Sequence, residues 1–198
     1  TDHVRKQGFI NGLYLDPNHE NSGNLAERNS LLRLTDLVRA GLAGSLSDYS
    51  FIDRFGNEVF AADLDYHGQS AAYASDPQEV INYAAAHDNE TLFDINQYKL
   101  PLGTAAEQRV RVQNLANSVI ALSQGIPFFH AGQEILRSKS LDRNSFNSGD
   151  WFNLLDFSLE RNGWGRGLPP AWDNRDNWGE AAVRLGDPSL SVKPQHMR

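Results

Sequence analysis

The chain has no cysteine, a single methionine and no apolar run near the ~18 residues that a membrane-spanning helix needs. Lacking thiols, it has no disulfide framework, no thiolate metal site and no cysteine nucleophile. Its 18 lysines and arginines, against 25 aspartates and glutamates, never gather into a basic run, and a formal net charge of -7 argues against binding a nucleic-acid backbone. Neutral or cationic partners suit that balance better. No glycine-rich phosphate loop follows a strand, and the histidines lack metal-ligand spacing. Internal repeats and low-complexity segments are missing too. The opening Thr1-Asp-His-Val-Arg-Lys shows no secretory signal, so none is expected in these residues.

What is present suffices for one domain with a substantial core: 198 residues, 40% of them hydrophobic. Residues 8–24 mix short apolar pieces with Asp16-Pro17-Asn18 and Asn21-Ser22-Gly23 and read as a long loop. Leu31, Leu34 and Val38 recur at helical spacing, which predicts a helix over Leu25 to Leu37 and then a tightly packed strand over Val38 to Gly44. Residues 47–76 are polar with scattered aromatics, an excursion expected to pack on the main body. A strand begins at Val80. Thr104-Ala-Ala-Glu107 has the capping-box form, and Val112, Leu115, Ala116, Val119, Ile120 and Ser123 then share a helical face, with Arg109, Arg111, Gln113 and Asn114 nearer the other. Gly125 and Pro127 end that helix, and Ile126 to His130 reads as a compact buried strand. Strand, helix, strand in this order calls for an α/β fold with a right-handed parallel crossover. Ser138 to Asp150 and residues 160–180 read as long loops above the sheet, and all four tryptophans lie in them or, for Trp151, directly beside them.

The chemistry concentrates where the Val80 strand runs into His87-Asp88-Asn89. Residues just past the carboxyl end of a parallel strand are where α/β barrels place their reactive groups. A His-Asp pair in that position also describes a solvated loop or a buried hydrogen-bonded pair. The tryptophans can cap the core or stack on the apolar C-H faces of sugar rings. Arg143, beside Asp142, Asn144 and Asn147, fits a surface ion pair or a planar fork clamping hydroxyl groups. Glu134 is expected to be a buried structural carboxylate.

Taken together, four segments carry a resemblance. Ile81-Asn-Tyr-Ala-Ala-Ala-His-Asp-Asn-Glu-Thr-Leu-Phe-Asp94 resembles the fourth sequence motif of the α-amylase superfamily of glycoside hydrolases, in its pullulanase and limit-dextrinase branch. Gln124-Gly-Ile-Pro-Phe-Phe-His-Ala-Gly-Gln-Glu134, Leu136-Arg-Ser-Lys-Ser140 and Ser148-Gly-Asp-Trp-Phe-Asn153 are similar to the following segments of that branch, in the same order. The likeness runs from about Gly8 to about Pro188. It implies a (β/α)8 TIM barrel that hydrolyses α-1,6 links in pullulan or limit dextrins with retention of configuration. On that mapping Asp88 is the transition-state stabiliser. His87 and Asn89 contact the same sugar, Arg143 grips substrate from the loop after the eighth strand, and Asp176 matches a glucan-contacting aspartate. An oxocarbenium-like transition state is favoured by nearby negative charge, which suits a carboxylate in that role. No cofactor is required for such chemistry, and a structural calcium site is not readable in these residues. One departure is local: the branch commonly has Arg-Asp-Ser where this chain reads Arg143-Asn144-Ser145.

The resemblance also implies what is missing. A retaining glycosidase needs a carboxylate nucleophile and an acid/base about 5 to 5.5 Å apart. In the family these lie in an Arg-x-Asp pattern and a Gly-Glu-x-Trp pattern, neither of which occurs here. Residues 1–198 are therefore expected to be a fragment of one catalytic domain, supplying approximately strands six to eight with long loops and no complete second domain. A complete barrel takes about 250 residues. The expected partners are an α-glucan substrate and the remainder of the catalytic domain, with no nucleic acid and no membrane span. An α-1,4-acting amylase-type hydrolase and a non-catalytic glucan-binding fragment are the alternatives.

Overall fold

A computed structural model describes residues 4–198; Thr1, Asp2 and His3, which open the stretch read as free of a secretory signal, lie outside the described residues. The fold is mixed helix and strand, with open two-stranded sheets. Helix α1 (Leu25–Leu42) starts at Asn24, whose side chain accepts from the Glu27 amide while Glu27 accepts from the Asn24 amide. The Glu27 carboxylate also collects the Asn21 side chain and the Ser22 and Gly23 amides, and these donors hold its pKa below the usual glutamate range. The expected strand over Val38 to Gly44 is not formed. The helical spacing simply continues to Leu42, and the chain turns at Gly44 with φ +77°.

The 47–76 excursion forms two antiparallel hairpins, β1 (Ser50–Ile52) with β2 (Glu58–Phe60) and β3 (Asp65–Tyr66) with β4 (Gln69–Ser70). It packs on α1 as expected, through a small core of Ala40, Ala61 and Ala72 flanked by Tyr49, Phe51 and Leu64. Asp36, buried on α1, is neutralised from the hairpin by Arg54 at 2.8 Å. A buried carboxylate needs such a partner.

Next, β5 (Ile81–Asn82) pairs with β6 (Ile126–Pro127) in parallel, Ile81 opposite Ile126 and Asn82 opposite Pro127. Gly125 permits this approach: at φ +111°, a β-carbon there would lie 2.8 Å from the Asn82 side-chain nitrogen and 2.9 Å from the Val80 carbonyl oxygen. Among the described residues this parallel pair, with an isolated parallel bridge between Leu46 and Ala74, stands where about three barrel strands are expected. Nor is the Ile126 to His130 strand buried; Ile126, Phe128 and Phe129 are exposed, as are Ile81 and Tyr83. Among the described residues nothing covers that apolar face.

Two helices lie between the paired strands. Helix α2 (Leu92–Lys99), which hydropathy alone does not reveal, is capped by Thr91, whose hydroxyl accepts from the Asp94 amide at 3.1 Å. Helix α3 (Ala106–Leu122) begins one residue later than the capping-box pattern predicts, at Ala105, with no side-chain cap. Its buried stripe is Arg109, Gln113, Ala116 and Ile120, while Leu115 is exposed. The polar members face inward because α2 supplies partners: Arg109 donates to the Gln97 side chain at 2.9 Å and Gln113 accepts from Asn96. The rest of the chain is loops with four helices, α4 (Asp150–Asn153), α5 (Ala171–Asn174), α6 (Trp178–Leu185) and α7 (Pro194–Met197). Arg184 of α6 is buried against the Tyr98 ring and donates to the Gln97 carbonyl. Among the described residues no helix is long and apolar enough to cross a membrane.

Candidate active site

His87 and Asp88 lie in the loop that leaves the carboxyl end of β5, where the sequence places them. Both side chains are open to solvent, 83% and 75% exposed, with His87 Nε2 3.5 Å from Asp88 Oδ1. The pair is therefore open rather than buried. Asn89, also exposed, has φ +62°, a left-handed conformation that few residues other than glycine adopt and that asparagine tolerates best. Such geometry needs support from its surroundings.

That support comes from residues 136–142, of which those from Ser138 on read in the sequence as the start of a long loop above the sheet. Leu136, Ser138, Lys139, Ser140, Leu141 and Asp142 are all buried instead. The Lys139 ammonium donates to the carbonyls of Asn89 at 2.8 Å and His87 at 3.3 Å. Its own amide donates to Asp94 Oδ2 at 2.7 Å, and the Ser138 hydroxyl donates to Asp94 Oδ1 at 2.5 Å. Asp94 sits in the first turn of α2, just past the His87 loop, so the network joins the second half of that loop to the start of α2. Burial raises the Asp94 pKa to about 6, although the Ser138 and Lys139 donors oppose the shift. Burial likewise lowers the Lys139 pKa, with Asp94 and Asp142 pulling it back. Gly163 completes the housing: a β-carbon there would lie 2.2 Å from the Ser138 carbonyl oxygen.

His130, beyond β6, is pushed down to about 4 by burial, with Arg137, Lys139 and His87 adding to the effect. It is neutral near pH 7, which lets its Nε2 accept from Arg137 at 3.0 Å. Glu134 is exposed, not buried: in the turn Gln133–Ile135 its two neighbours face inward and it faces out.

Arg143 and Asp176 meet in a second feature, an open cleft of about 630 Å³ that they line with Ala171, Trp172, Asp173 and Arg175. Arg143 is half-buried, its Nε 3.7 Å from Asp173 Oδ2 and its amide held by the Asn174 side chain at 3.1 Å. Asn174 in turn donates to buried Asp142 at 3.0 Å, so the cleft and the 136–142 segment share one scaffold. Of the four tryptophans, Trp151 and Trp172 are exposed, and Trp172 meets Phe146 edge to face at 5.4 Å. Trp164 is half-buried against Phe93, and Trp178 is half-buried with its indole donating to the Pro169 carbonyl. A further cleft of about 720 Å³, between Ile10 and the start of α3, contains none of the candidate site residues His87, Asp88, Asn89, Arg143 and Asp176. Among the described residues no group of three or more histidine, aspartate or glutamate side chains could hold a metal ion.

Comparison with known proteins points to one family. Residues 159–198 match the family model for the C-terminal part of pullulanase-type α-1,6-glucosidases. The chain is 51% identical over 197 residues to chloroplastic pullulanase 1 of Arabidopsis thaliana, covering 98% of this chain and 20% of that protein. It is 40% identical over 174 residues to the pullulanase of Klebsiella pneumoniae, covering 88% of this chain and 16% of that protein. The solved structure of Klebsiella pneumoniae pullulanase complexed with maltotriose superimposes with a TM-score of 0.91 at 36% identity, covering 99% of this chain and 18% of that one. These likenesses support a pullulanase-type fragment. The chain spans a fifth or less of the length of these curated relatives.

Proposed function

We propose that this chain is part of a retaining hydrolase that debranches α-1,6-linked glucans such as pullulan or limit dextrins, and that Asp88 stabilises its transition state. The observation that carries this reading is the placement of Asp88: an exposed carboxylate beside an imidazole, past the end of a parallel strand, in a loop held from beneath. As the sugar ring flattens and gains positive charge, a fixed carboxylate stabilises it more than it does the ground state. His87 and Asn89 hold hydroxyls of the same sugar. Arg143 and Asp176 bind a neighbouring one in the 630 Å³ cleft, where the exposed Trp172 offers an apolar face. The maltotriose bound in the Klebsiella pneumoniae pullulanase structure supports a glucan as ligand.

In this reading residues 1–198 belong to one (β/α)8 domain and contribute approximately its sixth to eighth strands. The exposed face of Ile81, Tyr83, Ile126 and Phe128 supports the proposal, since apolar sheet surface of this kind is normally covered. Nucleophile and acid/base come from elsewhere in the domain, so the 198 residues alone are inactive. The test is reducing-sugar release from pullulan and from linear amylose, by the full-length protein and by residues 1–198 alone. Only the full-length protein should act, and on pullulan. Turnover by residues 1–198 would shift the chemistry onto carboxylates within them, with Glu134 and Asp150 first to be mutated; preference for amylose would replace the α-1,6 reading with an α-1,4 one.

A further inference from the structure

Lys139 is only 1% exposed, yet its charge is directed at the main chain of the candidate site. Its ammonium contacts the carbonyls of His87 and Asn89, the residues on either side of Asp88. Asp88 itself has little to fix it, being 75% exposed with His87 as its ionic neighbour. The backbone is left-handed at Asn89, at φ +62°, so the loop requires an external hold. Lys139 is in turn held rigidly: its amide bonds Asp94, the adjacent Ser138 bonds the same carboxylate, and the Ser140 hydroxyl donates to the Gly167 carbonyl at 2.7 Å.

We infer that Lys139 is a positioning residue: by bonding the two carbonyls that flank Asp88, it fixes the direction in which that carboxylate leaves the loop. The inference rests on the reading of Asp88 as transition-state stabiliser. A buried lysine that merely balanced Asp94 and Asp142 would support the fold without aiming anything. An aiming role has a distinct signature, because misdirecting a carboxylate that acts in the transition state lowers turnover while leaving ground-state binding nearly intact.

The experiment uses the full-length protein with Lys139→Met, which keeps the length and loses the donors, and Lys139→Arg, which keeps the charge but in a fork that cannot match a point ammonium. Pullulan kinetics are read beside hydrogen exchange of the 84–91 amides, with α1 amides as the control for overall folding. Lys139→Met should lower kcat about a hundredfold with KM changed less than about threefold, and should speed exchange across 84–91 alone. Lys139→Arg should lower kcat about tenfold and decides the matter if the methionine variant also loosens α1. Wild-type kcat in a folded variant would overturn the inference, as would unchanged exchange across 84–91. If the wild-type protein leaves pullulan uncut, the functional reading fails by itself, and the exchange data alone then judge whether Lys139 holds the loop.

Discussion

The Ser138 hydroxyl donates to the Asp94 carboxylate across 2.5 Å, and neither residue has any exposed surface. This contact joins the first turn of α2 to the 136–142 segment, and through Lys139 to the loop that carries Asp88. Ser138→Ala should cost about 1–2 kcal/mol, because it leaves a buried carboxylate short of one donor. Asp94→Ala should cost about 3 kcal/mol or more, since Lys139 then loses the stronger of its two opposing charges in a buried setting. Urea denaturation of both variants checks the order, and a milder effect for Asp94→Ala would mean that the carboxylate is not the hub.

Asp88→Asn keeps the volume and removes the charge at a side chain 75% open to solvent. Stability should be unchanged within about 0.5 kcal/mol, while kcat on pullulan falls at least about a thousandfold. His87→Ala should be milder and should raise KM as well. A larger loss for His87→Ala than for Asp88→Asn would reverse the assigned roles.

Arg143 pairs loosely with Asp173, at 3.7 Å, in an open cleft. Its contribution should be binding shared by ground and transition states, so Arg143→Ala should raise KM about tenfold with kcat nearly constant. The effect should shrink on short oligosaccharides that do not reach the cleft. An unchanged KM on pullulan removes Arg143 from the binding surface.

His130 titrates near 4 when folded against an ordinary value of 6.5. Between those values the unfolded chain binds a proton that the folded one does not, so this contribution is fully present above pH 6.5 and is lost as pH falls toward 4. Asp94 acts in the opposite sense, with a folded value raised from 3.8 to about 6; its contribution grows as pH falls through that window. His130→Gln, which keeps an acceptor for Arg137, should therefore lose less stability than the wild type between about pH 7 and pH 5. Equal losses in urea midpoint would show that His130 protonates freely in the fold.

The position of His87 and Asp88 just past a strand was legible because its signal is local: a strand pattern running into a His-Asp pair. The parallel pairing of the Val80 and Ile126 segments was legible for the same reason. The support beneath was not. Arg109 and Gln113 look like the solvent face of a helix, and residues 138–142 look like a surface loop, because hydropathy cannot know that Gln97, Asp94 and Asn174 wait there as partners. Burial of polar residues is decided by tertiary pairing, which leaves no periodicity. The Val38 to Gly44 strand failed differently: Gly41 sits in α1 with open space beside it, and only Gly44, packed close to Pro77 and Gln124, turns the chain. Helix α2 did carry a signal, Thr91 three residues before Asp94 and an apolar Leu92-Phe93, but it is short and lies against the more conspicuous His-Asp-Asn cluster.

Gly163 has a reach that its own surroundings do not suggest. The Ser138 carbonyl occupies the space a side chain would need there, at 2.2 Å from where a β-carbon would begin, so any inherited replacement must push the backbone next to Lys139. A missense change at a plain loop glycine, remote in sequence from His87 and Asn89, would thus reach the loop that Lys139 holds rather than stay a surface polymorphism.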